Sequence, residues 1–298
     1  MSNLTIALDL SENSSKIAAQ GFSFARMMEI KNVNLIYVHQ LSAEYISSGY
    51  GMPYSGLIQV DEEGIEKRVK TEMQTIIDKL NAEGVKVTSK ILKGSPVDEI
   101  SKFCKEQNSS YLVIGLKSHN FVEKLFIGSI AGACFRESPC SVLGIHPEAN
   151  DVPQKVMYAC DFSNSNIKAF NEFQSISKNI NGTGVLYHVV NPQSVRWEHQ
   201  VNKLPTTMDS LMEQEKQFAK ENFENMKSEM ADPDKIQVLI EHTLETRPEF
   251  QIIETIEKEN VDLIVVGAHN YTGIKRFLMG STSQFIVSHM PCSVLVAK

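Results

Sequence analysis

Two carboxylates and two glycine–hydroxyl pairs are the residues in this sequence best suited to hold a ligand. Asp9 and Asp161 each follow a short apolar run, where a carboxylate can accept hydrogen bonds from a ribose hydroxyl or a base amino group. A plainer role is also open to them, capping the next helix through Asn13-Ser14 or Ser163-Asn164. Further along, Val113-Ile114-Gly115 and Val265-Val266-Gly267 end on a glycine that would let a ligand approach the backbone. Thirteen residues after each glycine stands Gly128-Ser129 or Gly280-Ser281-Thr282, opening a helical pattern. The free N–H groups of a helix start, with hydroxyls beside them, suit an anionic phosphate. The plainer alternative here is a serine N-cap after a tight turn.

Such residues meet only if the chain folds so that strand ends and helix starts share one edge. Apolar runs bounded by turn residues predict strands at Leu4–Leu10, Val33–His39, Val85–Leu92, Tyr111–Gly115 and Ser141–Ile145. Helical patterns fill the gaps at Ser15–Ile30, Glu63–Glu83, Val97–Glu106 and Ile127–Glu137. The later part of the chain repeats the order, with strands at Lys155–Cys160, Val185–Val190, Ile236–His242, Leu263–Gly267 and Ser293–Ala297 and a long polar helix from Met208 to Met230. Strands alternating with helices predict an α/β fold whose mostly parallel sheet is covered on both faces. Ligands of such sheets bind beyond the carboxyl ends of the strands, where the residues above lie.

The repetition is literal in one place: Pro139-Cys140-Ser141-Val142-Leu143 recurs as Pro291-Cys292-Ser293-Val294-Leu295, 152 residues later. The same offset relates Gly115 to Gly267, Gly128 to Gly280, Ser129 to Ser281 and Asp9 to Asp161. The expectation is two tandem doubly wound units, each with a five-stranded sheet, over residues 1–148 and 152–298, joined by a polar connector near His146 to Pro153. Each unit carries a long excursion without periodicity, Leu41–Asp61 and Asn191–Thr207, readable as lids, partner contacts or surface insertions.

The spacing between fourth strand and fourth helix resembles that of the universal stress protein family, whose ATP-binding members carry G-x-x-G, nine residues, then G-[ST]. The second half reads Gly267-Ala268-His269-Asn270, nine residues, Gly280-Ser281; the first reads Gly115-Leu116-Lys117-Ser118, nine residues, Gly128-Ser129. Both depart at the second glycine. Asn270 is the milder change, because asparagine enters left-handed backbone more readily than serine does, so the resemblance favours the second half. It implies an adenine nucleotide hydrolase-like fold, Asp9 and Asp161 at the nucleoside, and the backbone near Val38 and Val189 at the adenine edge. It also implies ATP, with or without Mg²⁺, as ligand. In family dimers the last strands pair across a two-fold axis, so the two Pro-Cys-Ser-Val-Leu segments are expected to pair within one chain, as a pseudo-dimer. A further homodimer stays open.

Composition narrows the partners. Twenty-nine Lys and Arg against 36 Asp and Glu give a net charge of −7 with no basic cluster, which argues against nucleic acid. Five scattered cysteines form no C-x-x-C pair, and His119 and His269 do not occupy repeat-equivalent positions, so no metal site is expected. Matched Cys140 and Cys292 read as buried packing residues. The start of the chain lacks a signal-peptide pattern and no apolar run is long enough to span a membrane, which predicts a cytoplasmic protein. No Walker loop and no G-x-G-x-x-G after the first strand is found, and no general base is evident, so at most slow ATP hydrolysis is expected. Two readings remain: a stress-response module regulated by ATP or another adenine nucleotide, or a nucleotide-independent scaffold acting through its long loops on a protein partner.

Overall fold

The computed structural model describes residues 2–40, 62–80, 84–116, 127–163, 167–191, 208–243, 247–268 and 279–298. In the first half they form β1 (Asn3–Leu8), α1 (Ser14–Met27), β2 (Asn32–His39), α2 (Glu62–Lys79), β3 (Lys86–Lys93), α3 (Pro96–Glu106), β4 (Ser109–Gly115), α4 (Ser129–Glu137) and β5 (Ser141–Ile145). The second half gives β6 (Lys155–Ala159), α5 (Ile167–Asn179), β7 (Thr183–Val190), α6 (Met208–Ser228), β8 (Ile236–His242), α7 (Pro248–Glu259), β9 (Leu263–Gly267), α8 (Ser281–His289) and β10 (Ser293–Ala297). The long excursions, apart from Asn191, lie outside the described residues.

The strands form one ten-stranded sheet in the order β3-β2-β1-β4-β5-β10-β9-β6-β7-β8, five from each half, joined through the expected pairing of the two Pro-Cys-Ser-Val-Leu strands. Pairing is parallel within each half and antiparallel only where β5 meets β10. There Leu143 faces Leu295, with Val142 opposite Val296 and Gly144 opposite Val294. That register is self-complementary, as a two-fold interface requires. The flanking bonds obey the same symmetry: the His146 N–H donates to Ser293 Oγ (3.1 Å) and the Lys298 N–H to Ser141 Oγ (3.2 Å).

Side chains alternate between two covered faces, as the pleat demands. Leu4, Ile6, Val33, Leu35 and Val113 meet Phe22 of α1 and Met73 of α2, and across the seam the same layer continues through Phe173 of α5 and Phe223 of α6. Ile36, Leu112, Ile114 and Val142 point the other way, onto a layer holding Phe103, Phe135, Ile252 and Ile286 of α3, α4, α7 and α8. The central β5 and β10 are buried at every position, which is why they read as continuous apolar runs. Edge strand β3 is largely exposed and carries Lys86, Lys90 and Lys93, charges that discourage pairing with another chain. Pro96 and Pro248 open α3 and α7, with Asp98 and Glu99 in the first turn of one and Glu249 in that of the other, an arrangement suited to the helix start.

Several boundaries differ from expectation, mostly by one or two residues. β1 stops at Leu8 because Leu10 takes a left-handed φ of 56°, and α1 stops at Met27 ahead of Glu29 at φ 54°. α4 begins at Ser129, two residues later than expected. All five cysteines, Cys140 and Cys292 included, are buried and unpaired as disulfides. Among the described residues no helix is long and apolar enough to cross a membrane, and no cluster of three or more His, Cys, Asp or Glu could hold a metal ion.

Candidate functional site

At the carboxyl ends of β6, β7 and β9 the chain encloses a cavity of about 290 Å³. Asp161, Val189, Gly267, Gly280, Ser281 and Thr282 all line it. It sits where β9 and β6, neighbours in the sheet, send their connections to opposite faces, the switch point at which open α/β sheets bind ligands.

The phosphate-like end is built from β9 and α8. Gly280 is the N-cap of α8, and the first intrahelical bond runs from the Gln284 N–H to the Gly280 carbonyl (2.9 Å). The N–H groups of Ser281, Thr282 and Ser283 precede it and have no acceptor within the helix. Ser283 Oγ donates to the Gly267 carbonyl (2.9 Å) and ties the helix start to the strand end. Neither sequence pattern nor resemblance singled out Ser283. Gly280 has φ −62° and ψ 162°, backbone that any residue can adopt, so local conformation does not demand its glycine.

Asp161 closes the other side. Its carboxylate accepts the Ser163 N–H (2.8 Å), and the residue between them, Phe162, is held at a left-handed φ of 56°. Asp9 repeats the device, accepting the Ser11 N–H (3.0 Å) across Leu10 and also the Ser14 hydroxyl (3.2 Å). The hydrogen bond to Ser14 is a link between Asp9 and the start of α1, so the plainer reading of this carboxylate holds in part for the first half. Bulky residues at positive φ are uncommon, and both halves place one directly after the aspartate.

Sequence reasoning missed His188. It is 9% exposed, packs against Phe162 with the rings tilted at 50° (4.8 Å between ring centres) and lines the cavity together with Glu215 of α6. Its Nδ1 lies 2.8 Å from the Cys160 carbonyl, and burial pulls its pKa below the ordinary imidazole value. On the opposite face of β7, Tyr187 donates to Glu241 (2.8 Å), which also accepts from Thr255 (2.7 Å) and Gln251 (3.0 Å). This network fixes β7, β8 and α7 beneath the cavity.

The first half holds its matching residues differently. Val38 is the penultimate residue of β2 as Val189 is of β7, and Gly128 caps α4 with φ −59° and ψ 148° and open space where a Cβ would lie. Ser129 opens α4 and is exposed. Gly115 has a packing reason to be glycine: Ile17 Cδ1 lies 2.2 Å from where its Cβ would be. Ala131 stands at the repeat position of Ser283 and cannot tie α4 to β4 through a hydroxyl. Ser118 and Asn270 lie outside the described residues.

The profile of the universal stress protein family matches this chain twice, over residues 1–146 and 153–298. The chain belongs to the universal stress protein family. Two universal stress proteins of Methanocaldococcus jannaschii are similar to one half each: one is 27% identical over 47% of this chain and 79% of its own length, the other 25% identical over 49% and 94%. The crystal structure of a universal stress protein from Archaeoglobus fulgidus superposes with a TM-score of 0.70 at 20% identity, covering 99% of this chain and 98% of that one. A Pseudomonas aeruginosa structure described as a putative universal stress protein gives 0.64 at 15% identity, covering 100% and 92%. These two full-length likenesses establish the fold of a tandem universal stress protein.

Proposed function

We propose that this universal stress protein is a cytoplasmic regulatory module that binds ATP with Mg²⁺ in its second half. The reading rests on one observation, the convergence of Asp161, Val189, Gly267, Gly280, Ser281 and Thr282 on a single cavity at the switch point. Its volume is close to the lower end of small-molecule sites, about 300 to 1,000 Å³. Phosphates would sit on the α8 start, and the nucleoside would lie toward Asp161 and β7. Asp161 and Glu215 line the cavity while no Lys or Arg does among the described residues, so a polyphosphate is best accommodated with a divalent cation that offsets its charge. Gly115 packed by Ile17, with Ala131 in place of a tying serine, supports one site per chain. Five buried thiols without a disulfide suit a reducing compartment.

Calorimetric titration with ATP and Mg²⁺ tests the reading. The expected result is one saturable site per chain, weakened by EDTA and abolished by Gly280→Val. Valine tolerates the Gly280 backbone angles, so the variant should stay folded, and Gly128→Val should leave binding unchanged. Retained affinity in a folded Gly280→Val protein would remove α8 from the site. Absence of any binding by the folded wild type would favour the scaffold reading instead.

A further inference from the structure

One buried polar atom in the wall of the cavity has no protein partner. His188 Nε2 is closed off from solvent and makes no hydrogen bond. The other ring nitrogen, Nδ1, faces the Cys160 carbonyl at 2.8 Å. A carbonyl oxygen can only accept, so Nδ1 carries the proton of the neutral ring and Nε2 presents a bare lone pair. Glu215 Oε1 stands 4.0 Å from that lone pair. An ionised carboxylate also only accepts. Two acceptors thus face each other, too far apart to bond and with no proton between them, and a buried acceptor left unmet is unfavourable. Glu215 keeps 28% of its side chain exposed and lines the same cavity as His188.

A single donor nitrogen bearing two hydrogens gives His188 Nε2 its missing partner and turns its second hydrogen toward Glu215, a carboxylate with several acceptor sites. Its place along the ligand follows from the sheet: β9, β6 and β7 are successive neighbours, which sets His188 two strand spacings, roughly 10 Å, from the strand that ends at Gly267. A nucleotide with its phosphates on the α8 start brings its base to that distance. We infer that His188 and Glu215 read the exocyclic amino group of the base, making the second half selective for amino-bearing purine nucleotides. This inference rests on the nucleotide reading above and adds the two residues that discriminate among nucleotides.

The test compares ATP with purine riboside 5′-triphosphate, which is ATP without its amino group, by calorimetry on the full chain with Mg²⁺. Wild type should bind ATP about tenfold more tightly, the size of effect expected from one buried hydrogen-bonded pair. His188→Leu should narrow the gap between ATP and the analogue, lowering ATP affinity severalfold more than that of the analogue. Glu215→Ala, on the outer helix α6, should cut the preference and covers the case in which the His188 variant fails to fold. Equal affinities in wild type, or a preference untouched by the folded variants, overturns the assignment and leaves the nucleotide site standing. If neither compound binds the folded wild type, the nucleotide reading fails and this inference with it.

Discussion

Glu172 on α5 is 8% exposed and accepts a hydrogen bond from Tyr111 on β4, so a carboxylate of one half is sealed against the other. Burial raises its pKa above the ordinary 4.5, against the lowering effects of the Tyr111 hydroxyl and Lys168. Between that ordinary value and the raised one the folded chain holds more protons than the unfolded chain, so this contribution is full at lower pH and declines as pH rises through the window. Glu172→Gln keeps an acceptor for Tyr111 and removes the charge. Its melting temperature should match or exceed that of wild type at pH 7 and lose the part of the pH slope that Glu172 supplies; an unchanged slope in thermal melts from pH 4 to 8 would contradict this. Glu172→Leu strands the buried Tyr111 hydroxyl and should cost about 1–3 kcal/mol in urea unfolding.

At the scale of elements, the hydroxyl of Ser283 joins α8 to β9 and is absent from the first half. Ser283→Ala should lose about 1 kcal/mol of stability, one hydrogen bond's worth, and weaken ATP binding severalfold by loosening the helix start; full affinity in the calorimeter would show that the strand end and helix start stay in place without this bond. The elements themselves were largely legible in the sequence. β5, β9 and β10 fall where the apolar runs place them, because short buried strands bounded by turn residues leave little choice of frame. The ends of β1 and α1 were not, since Leu10 and Glu29 enter left-handed backbone without a glycine to announce it. Asp161, Gly267 and Gly280 were legible through spacing. His188 was hidden inside the apolar run of β7, and its role depends on the Cys160 carbonyl, 28 residues away in sequence.

The whole molecule is held by the β5–β10 seam, apolar and buried throughout. A half produced alone, residues 1–148, would expose β5 as an open edge whose register complements itself. It should therefore form a homodimer, and because the seam is apolar the dimer should persist at high salt. Sedimentation at micromolar concentration checks this, and a stable monomer would mean that the seam adds little to each half. The antiparallel meeting of β5 and β10 also turns the strand ends of the two halves in opposite directions. The cavity at β6, β7 and β9 and its counterpart surface at β1, β2 and β4 therefore open at opposite poles of the sheet. In a homodimer each substitution is made at both poles together. A duplicated chain is released from that constraint: Ser283 can stay at one pole while Ala131 takes its place at the other, leaving the second pole free to acquire a different task.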